Sequence, residues 1–307
     1  MILCSGEALI DMLPRHTANG ERAFAPYAGG AVFNTSIALG RLGVSTGFYS
    51  GLSTDLFGVL LTDALSAAKV DSSMAARSDK PTTLAFVTLT NGQASYVFYD
   101  ENSAGRMLSA EDLPTLDAAV STLFFGGISL VVEPCARAYE ALMMREKDRR
   151  VIMLDPNIRQ GFIVDEAAYR DRIGHMMAAS DIVKVSDEDL AWLTGHDDLQ
   201  RGAADLLSKG TKLICVTEGA EGVTGYSAGQ TVRVPANKVA VVDTVGAGDT
   251  FNAGFLAALS DAGVLSKAEI ANLEADTIEA ALSLGARAAA VTVSRAGANP
   301  PTRAELG

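Results

Sequence analysis

Of the 307 residues, 48% are hydrophobic and 20% charged, so the chain can bury a large core without disulfide or metal staples. The 25 Lys and Arg against 37 Asp and Glu leave a net charge of −12, which argues against a nucleic-acid partner, since that needs a basic surface. A small anionic ligand stays open, because a local cradle can be positive on an acidic protein.

The N-terminus runs directly into Ile2–Ile10, an apolar run expected as the first strand. No basic stretch precedes it, and no window approaches the roughly 18 consecutive apolar residues of a membrane span. The expectation is a cytoplasmic chain with neither secretory leader nor membrane partner. Cys4, Cys135 and Cys215 lack metal spacing and are expected reduced and buried. His16, His175 and His196 are scattered, which gives little support to a His-based metal site or a Ser–His–Asp triad. Met12–Tyr27 has no helical period. Helical spacing covers Val32–Leu42, stopped by Gly43, and Phe57–Ala68, with a strand at Thr46–Gly51 between them. Thr83–Thr90 and Ala94–Tyr99 flank Asn91-Gly92, the strongest short hairpin signal. An isolated hairpin is marginal, so it is expected to join Met12–Tyr27 in a small sheet outside the main layer. That sheet is a candidate lid, or equally a surface decoration or dimer contact. Further strands are expected at Thr122–Phe125, Val151–Asp155, Ile182–Val185, Leu213–Thr217 and Val239–Val242. They alternate with helical stretches at Tyr139–Lys147, Tyr169–Ala179, Glu188–Leu193 (stopped by Gly195) and Ala203–Leu207. Alternation of this kind means crossover connections, hence a largely parallel sheet covered on both faces.

Ligands of open parallel sheets sit beyond the carboxyl ends of the strands, and polar groups gather there. Asp11 closes the first run, Gly29-Gly30-Ala-Val-Phe-Asn34 opens a helix, Asp155-Pro-Asn157-Ile-Arg159 follows Val151–Leu154, and Thr217-Glu-Gly219-Ala-Glu-Gly222 follows Leu213–Val216. The fifth group is Asp243-Thr-Val-Gly-Ala-Gly-Asp-Thr-Phe-Asn-Ala-Gly254, after Val239–Val242 and at the head of a helix marked by Phe251, Phe255, Leu256 and Leu259. The first N–H groups of a helix lack partners and carry the positive end of its dipole, and Gly246 and Gly248 let the backbone curl around an anion. A carboxylate there, Asp249, repels phosphate; one good reason for it is to take the proton of a hydroxyl that attacks the phosphate. Asp11 and Asn34 can pair with vicinal hydroxyls, and Arg159 can fork onto an anionic or hydroxyl-rich substrate. Each has an ordinary alternative: a strand-end carboxylate for Asp11, a helix cap for Asn34, a surface ion pair for Arg159, an acidic first-turn residue for Asp249. No Gly-x4-Gly-Lys-[Ser/Thr] loop is present, and no Gly-x-Gly-x-x-Gly follows the first strand, so neither a P-loop nor a dinucleotide fingerprint is expected.

These residues resemble the ribokinase-like (PfkB) carbohydrate kinases, and among them the bacterial fructokinases most. Gly29-Gly30-Ala-Val-Phe-Asn34 matches the family's first signature, and Asp243 to Gly254 matches the second without a gap. The resemblance runs from Gly6-Glu-Ala-Leu-Ile-Asp11 to Thr292-Val-Ser-Arg-Ala-Gly297. It implies one kinase domain over residues 1–307, a three-layer α/β/α sandwich on a mostly parallel sheet, with lid segments near 12–28 and 80–101. The implied reaction moves the γ-phosphoryl group of ATP to a hydroxyl of a ketohexose, D-fructose first. Sister activities on 2-keto-3-deoxygluconate, ribose or a nucleoside, and a non-catalytic sugar or nucleotide sensor, are the alternatives. By the same resemblance Asp249 is the base, and Gly246, Ala247 and Gly248 carry N–H groups that face the transferring phosphate. Asp11, Gly29, Gly30, Asn34, Arg106 and Arg159 bind sugar, while Ser186, Thr217, Gly219 and Gly222 line ATP. Asp189 helps order Mg²⁺ through water, and Asp243 with the Val245 carbonyl matches a K⁺ site. A homodimer through the lid is the implied assembly. The chain departs from the family at Ser186-Asp-Glu-Asp189, where Asn-x-x-Glu is usual and Asp is one methylene shorter. It departs again at Asp100-Glu101-Asn102, where an arginine is often found; this weakens the keto-acid alternative, which Arg106 and Arg159 keep alive.

Overall fold

The computed structural model describes residues 1–90 and 93–307, so the Asn91-Gly92 turn lies outside the described residues. The apolar run Ile2–Ile10, expected as one strand, is two strands in two different sheets. β1 (Ile2–Ser5) ends at Gly6, where any side chain would meet Val32 Cγ2 at 2.4 Å, and the chain turns at Glu7 before β2 (Leu9–His16). β3 (Arg22–Gly29) returns antiparallel to β2 and hands over to α1 (Ala31–Arg41), which stops at Gly43 in a left-handed conformation (φ 79°). Thr46–Gly51 likewise divides, into β4 (Thr46–Tyr49) and β5 (Gly51–Ser53). Then come α2 (Leu56–Ala67), β6 (Ala76–Ser78), which pairs with β5, and the hairpin strands β7 (Leu84–Thr90) and β8 (Gln93–Tyr99).

The alternation expected downstream is present. β9 (Thr122–Gly126), α3 (Cys135–Glu146), β10 (Val151–Asp155), α4 (Glu166–Ala178), β11 (Ile182–Ser186), α5 (Asp187–Thr194), α6 (Leu199–Leu207) and β12 (Leu213–Thr217) follow one another. Two antiparallel edge strands, β13 (Val223–Ser227) and β14 (Thr231–Val234), extend the sheet beyond what periodicity indicated. The chain closes with α7 (Ala247–Asp261), α8 (Lys267–Ile270), α9 (Ala275–Val293) and α10 (Arg303–Leu306).

The main sheet runs β14-β13-β12-β11-β10-β9-β1-β4, and every pair from β12 to β4 is parallel. Alternate residues of these strands feed two cores. Ile2, Cys4, Phe48, Phe124, Met153, Ile182 and Cys215 pack with α1, α7 and α9, while Leu3, Tyr49, Phe125, Leu154, Val183 and Ile214 pack with α3 to α6. The result is the expected α/β/α sandwich. Met12–Tyr27 does join the hairpin in a separate sheet, of order β3-β2-β7-β8. Phe24, Phe86 and Tyr99 stack edge-on along it at 5.0 and 5.4 Å, and Phe98 meets Phe162 at 4.8 Å, in the loop after β10. Among the described residues no helix is long and apolar enough to cross a membrane.

One expected strand is absent. Val239–Val242 is an exposed segment, with Val241 and Val242 64% and 63% exposed. Its composition suits a strand, but it has no sheet edge to join: the N–H groups of Val242 and Asp243 both donate to the Val293 carbonyl at the end of α9 (2.8 and 3.2 Å). The glycine turn before α7 therefore hangs from a helix end rather than from the sheet. Gly254 shows why the signature's last glycine is there. A Cβ on it would lie 2.8 Å from the Leu284 carbonyl oxygen and 2.9 Å from Gly285 Cα, so α7 and α9 touch backbone to backbone. In an exposed helix Gly→Ala stabilises by up to about 1 kcal/mol, whereas overpacking costs about 1–3 kcal/mol, so overpacking decides the sign here. Gly254→Ala is expected to lower Tm by a few degrees in a thermal melt; a rise would contradict this packing.

Candidate active site

Because β10, β11 and β12 are parallel, Asp155, Ser186 and Thr217 end on one edge of the sheet. The N-terminus of α7 opens beside them. Gly246 caps it in the left-handed region (φ 78°), where a Cβ would lie 2.7 Å from that of Ala298. The N–H groups of Gly246, Gly248 and Asp249 find no acceptor among the described residues, while that of Ala247 reaches the Thr244 carbonyl at 3.3 Å. This is a cradle that faces anions and that side chains would fill.

Asp249, in the first turn of α7, is 8% exposed. Its Oδ2 accepts from Asn34 Nδ2 at 2.9 Å, and its carbonyl accepts from Thr35 Oγ1 at 3.2 Å, which locks α7 to α1. Burial pushes its carboxyl up to about 7; Asp155 and Glu7 push the same way, against the Asn34 hydrogen bond and Lys184. Asp11 stands on β2 in the small sheet, half-buried, with no side-chain hydrogen bond among the described residues, and burial pushes it up to about 6. Gly29 makes its room: a Cβ there would sit 2.3 Å from Asp11 Oδ2. Gly30 takes φ 109°, and a Cβ there would lie 2.9 Å from the Glu7 carbonyl oxygen. Glu7 in turn accepts from the N–H groups of Ala31 (2.8 Å) and Ser129 (3.3 Å) and so pins the start of α1. On β8 Tyr96 stacks on Phe98 at 6.3 Å, and Phe98 meets Phe162 beyond β10 at 4.8 Å, so the small sheet reaches over this edge.

The remaining expected residues divide. Ser186 caps α5 through Asp189 N–H (3.0 Å), and Asp189 Oδ2 accepts from Ile158 N–H at 3.4 Å. Burial, then the charge of Asp155, raises the Asp189 carboxyl. Thr217 Oγ1 donates to the Val185 carbonyl (3.3 Å), Gly219 and Gly222 both take positive φ, and at Gly222 a Cβ would also lie 2.2 Å from the Val234 carbonyl oxygen. Both oxygens of Asp243 close loops, onto Val245 N–H (3.1 Å) and Gly297 N–H (2.9 Å). Arg159 is exposed and donates to the Ile158 carbonyl at 3.1 Å. Arg106 is already partnered, to Asp100 at 2.9 Å and the Glu133 carbonyl at 3.2 Å. Among the described residues no three His, Cys, Asp or Glu side chains group to hold a metal ion.

Three buried polar residues escaped sequence reasoning as a unit. Asp155 Oδ2 accepts from Lys184 Nζ at 3.0 Å and from Asn252 Nδ2 at 2.7 Å. The available signals were a lysine inside the Ile182-Val-Lys-Val-Ser186 strand and an asparagine one turn beyond Asp249. Together the edge offers an anion cradle, a buried carboxylate poised to take a proton, and a small sheet that carries the Asp11 carboxylate.

Comparison with known proteins agrees with this chemistry. Residues 1–305 match the model of the pfkB family carbohydrate kinases. A fructokinase of Rhizobium leguminosarum bv. trifolii is 54% identical over 274 residues, 89% of this chain and 84% of that one. The crystal structure of Xylella fastidiosa fructokinase with bound ATP superposes with a TM-score of 0.90 at 29% identity, over 99% of this chain and 96% of that one. Aminoimidazole riboside kinase of Salmonella enterica, complexed with aminoimidazole riboside and an ATP analog, superposes at 0.84 with 25% identity, over 99% and 98%. With both signatures folded around one sheet edge and the match spanning nearly its whole length, the chain belongs to the pfkB family of carbohydrate kinases.

Proposed function

We propose that the chain transfers the γ-phosphoryl group of ATP to a hydroxyl of D-fructose. The observation that carries the chemistry is Asp249, buried at an unfilled helix N-terminus and held by Asn34. The choice of fructose rests on the 54%-identical relative. In this reading Asp249 accepts the hydroxyl proton as that oxygen attacks the γ-phosphorus and ADP leaves. The N–H groups of Gly246 and Gly248 face the phosphoryl oxygens, and that of Ala247 joins them on leaving the Thr244 carbonyl. Asp11 and Asn34 hold the sugar hydroxyls over the Gly29-Gly30 turn, with Arg159 and Arg106 at the margin. Ser186, Thr217, Gly219 and Gly222 line the nucleotide. Mg²⁺ bound with the triphosphate would offset its charge, and Asp189 is the carboxylate that would order the water on it. Asp243 and the Val245 carbonyl are the proposed K⁺ ligands.

The wider reading is one kinase domain with 12–28 and 80–101 as lid segments, in a cytoplasmic enzyme. Its three cysteines are free and buried. The exposed aromatics Phe24, Tyr27 and Tyr99 on the small sheet suit a homodimer through the lid.

Since the base acts ionised, kcat/KM is expected to level off above pH 7 and to fall about tenfold per pH unit below it, more steeply below 6 where Asp11 also protonates. A profile flat from pH 5 to 8 would contradict Asp249 as base. The proposal itself is tested by coupled ADP release with ATP and Mg²⁺ on fructose, tagatose, ribose, 2-keto-3-deoxygluconate and adenosine, with and without K⁺. Turnover on fructose alone is the expected result. Turnover on another member moves the chain to a sister activity, and silence from folded protein overturns the kinase reading.

A further inference from the structure

Lys184 has no packing reason to be a lysine. β11 is a central strand with helices on both faces, and its neighbours Ile182, Val183 and Val185 are fully buried. Lys184 pairs with Cys215 of β12 and faces the α7 layer, 5% exposed. A buried ion pair is often no more stable than an apolar pair of the same volume, so stability alone does not account for Lys184 and Asp155. Nζ uses one N–H on Asp155 and finds no second acceptor among the described residues. It also lies 3.2 Å from where a Cβ of residue 248 would be, against the bare backbone of the first turn of α7. An ammonium group and the N-terminus of a 15-residue helix, both positive, therefore stand side by side. Asp155 answers the ammonium charge, but the remaining Nζ donors and the N–H groups of Gly246 and Gly248 have no acceptor among the described residues, which suits a bound anion. Three carboxylates feel the Lys184 charge: Asp155 by contact, and Asp189 and Asp249 through space.

We infer that Lys184 Nζ contacts the γ-phosphoryl oxygens of the bound nucleoside triphosphate and stays with the group as it passes to the acceptor hydroxyl, an inference that rests on the phosphoryl-transfer reading above. Lys184 rises from the sheet and the glycine N–H groups descend from α7, so the phosphoryl group is held from two sides. No bond to Lys184 forms or breaks. Its ammonium lowers the cost of negative charge where the helix dipole already does so. It also favours the ionised form of Asp249, which ties the base and the phosphate site to one charge.

The test compares Lys184→Met, Lys184→Arg, Asp155→Asn and the double variant Asp155→Asn/Lys184→Met with wild type. Lys184→Met strands a buried carboxylate and can misfold; the double variant removes both charges and keeps the experiment alive. Loss of Lys184 is expected to lower kcat about a hundredfold, the size of one lost oxyanion donor, with fructose KM unchanged. By calorimetry, a non-hydrolysable ATP analogue should lose about tenfold or more in affinity while ADP changes little, since only the analogue presents a γ-phosphate. The double variant should stay as slow as Lys184→Met, and Lys184→Arg should recover part of the rate. Recovery of the double variant to the rate of Asp155→Asn, or equal loss for analogue and ADP, overturns the inference and leaves Lys184 a counter-ion. The two readings fail separately. A wild type that binds the analogue yet phosphorylates no sugar contradicts the kinase reading, while the ratio of analogue to ADP affinity still decides Lys184.

Discussion

Asp249→Asn is expected to lower kcat by at least about a hundredfold, the low end for loss of a positioned general base, while ATP binding stays near wild type. Asparagine keeps the size of the side chain and an oxygen for Asn34 Nδ2, which now donates to Asp249 Oδ2 at 2.9 Å. What it loses is the ability to accept a proton. The same substitution separates catalysis from stability. Burial raises the Asp249 carboxyl from its ordinary value to about 7. A group raised in this way contributes stability below its unfolded value of about 4, and that contribution is lost as pH rises through 7. Above pH 7 the native protein therefore carries an unfavourable buried charge that asparagine does not. Asp249→Asn should melt higher than wild type near pH 8 and equally near pH 4. Near wild-type turnover in this variant would falsify the mechanism; a lower melting temperature at pH 8 would show that Asp249 is a structural carboxylate instead.

Asp11→Ala is expected to cut kcat/KM for fructose by about a hundredfold or more, mostly in KM. Each hydrogen bond to a charged group contributes about 1.5–3 kcal/mol, and the Asp11 carboxylate has two oxygens for two hydroxyls. Water that fills the place of the lost group returns part of this, so the lower end of the sum is the one to expect. The loss falls on binding because the sugar hydroxyls held by Asp11 are not those that react. Asp11 has no side-chain partner among the described residues, and burial opposes its charge, so its removal should leave Tm unchanged or slightly raised at pH 7. A variant with unchanged KM, or one that unfolds, would place Asp11 in the fold and not in the site.

The glycines were the most legible part of this chain. Gly29, Gly30, Gly246 and Gly254 each sit where a Cβ would strike, in turn, the Asp11 carboxylate, the Glu7 carbonyl oxygen, Ala298 in the loop after α9, and α9 itself, so their spacing in the sequence encoded real contacts. The small sheet was legible because Asn91-Gly92 marks a hairpin that cannot stand alone, although that turn itself lies outside the described residues. Composition misled at Val239–Val242, since valines favour strands only where a sheet edge is free, and here α9 takes the backbone hydrogen bonds. The run Ile2–Ile10 hid its break because Ser5, Gly6 and Glu7 interrupt the apolar pattern for only three residues. The Lys184–Asp155–Asn252 cluster was illegible as a unit for a different reason. Its members lie 97 residues apart at the extreme and meet only once the parallel sheet has formed. Arg106 shows the converse: the resemblance implied a sugar contact, and the fold holds its guanidinium on Asp100 and the Glu133 carbonyl.

The most direct measurement is a crystal structure of the chain with fructose and a non-hydrolysable ATP analogue. The expected density places one sugar hydroxyl within hydrogen-bond reach of Asp249, the γ-phosphate against the N–H groups of Gly246 and Gly248, and other hydroxyls on Asp11 and Asn34. Fructose bound away from Asp249, or a triphosphate that does not reach the start of α7, would contradict a single reaction centre at this edge of the sheet.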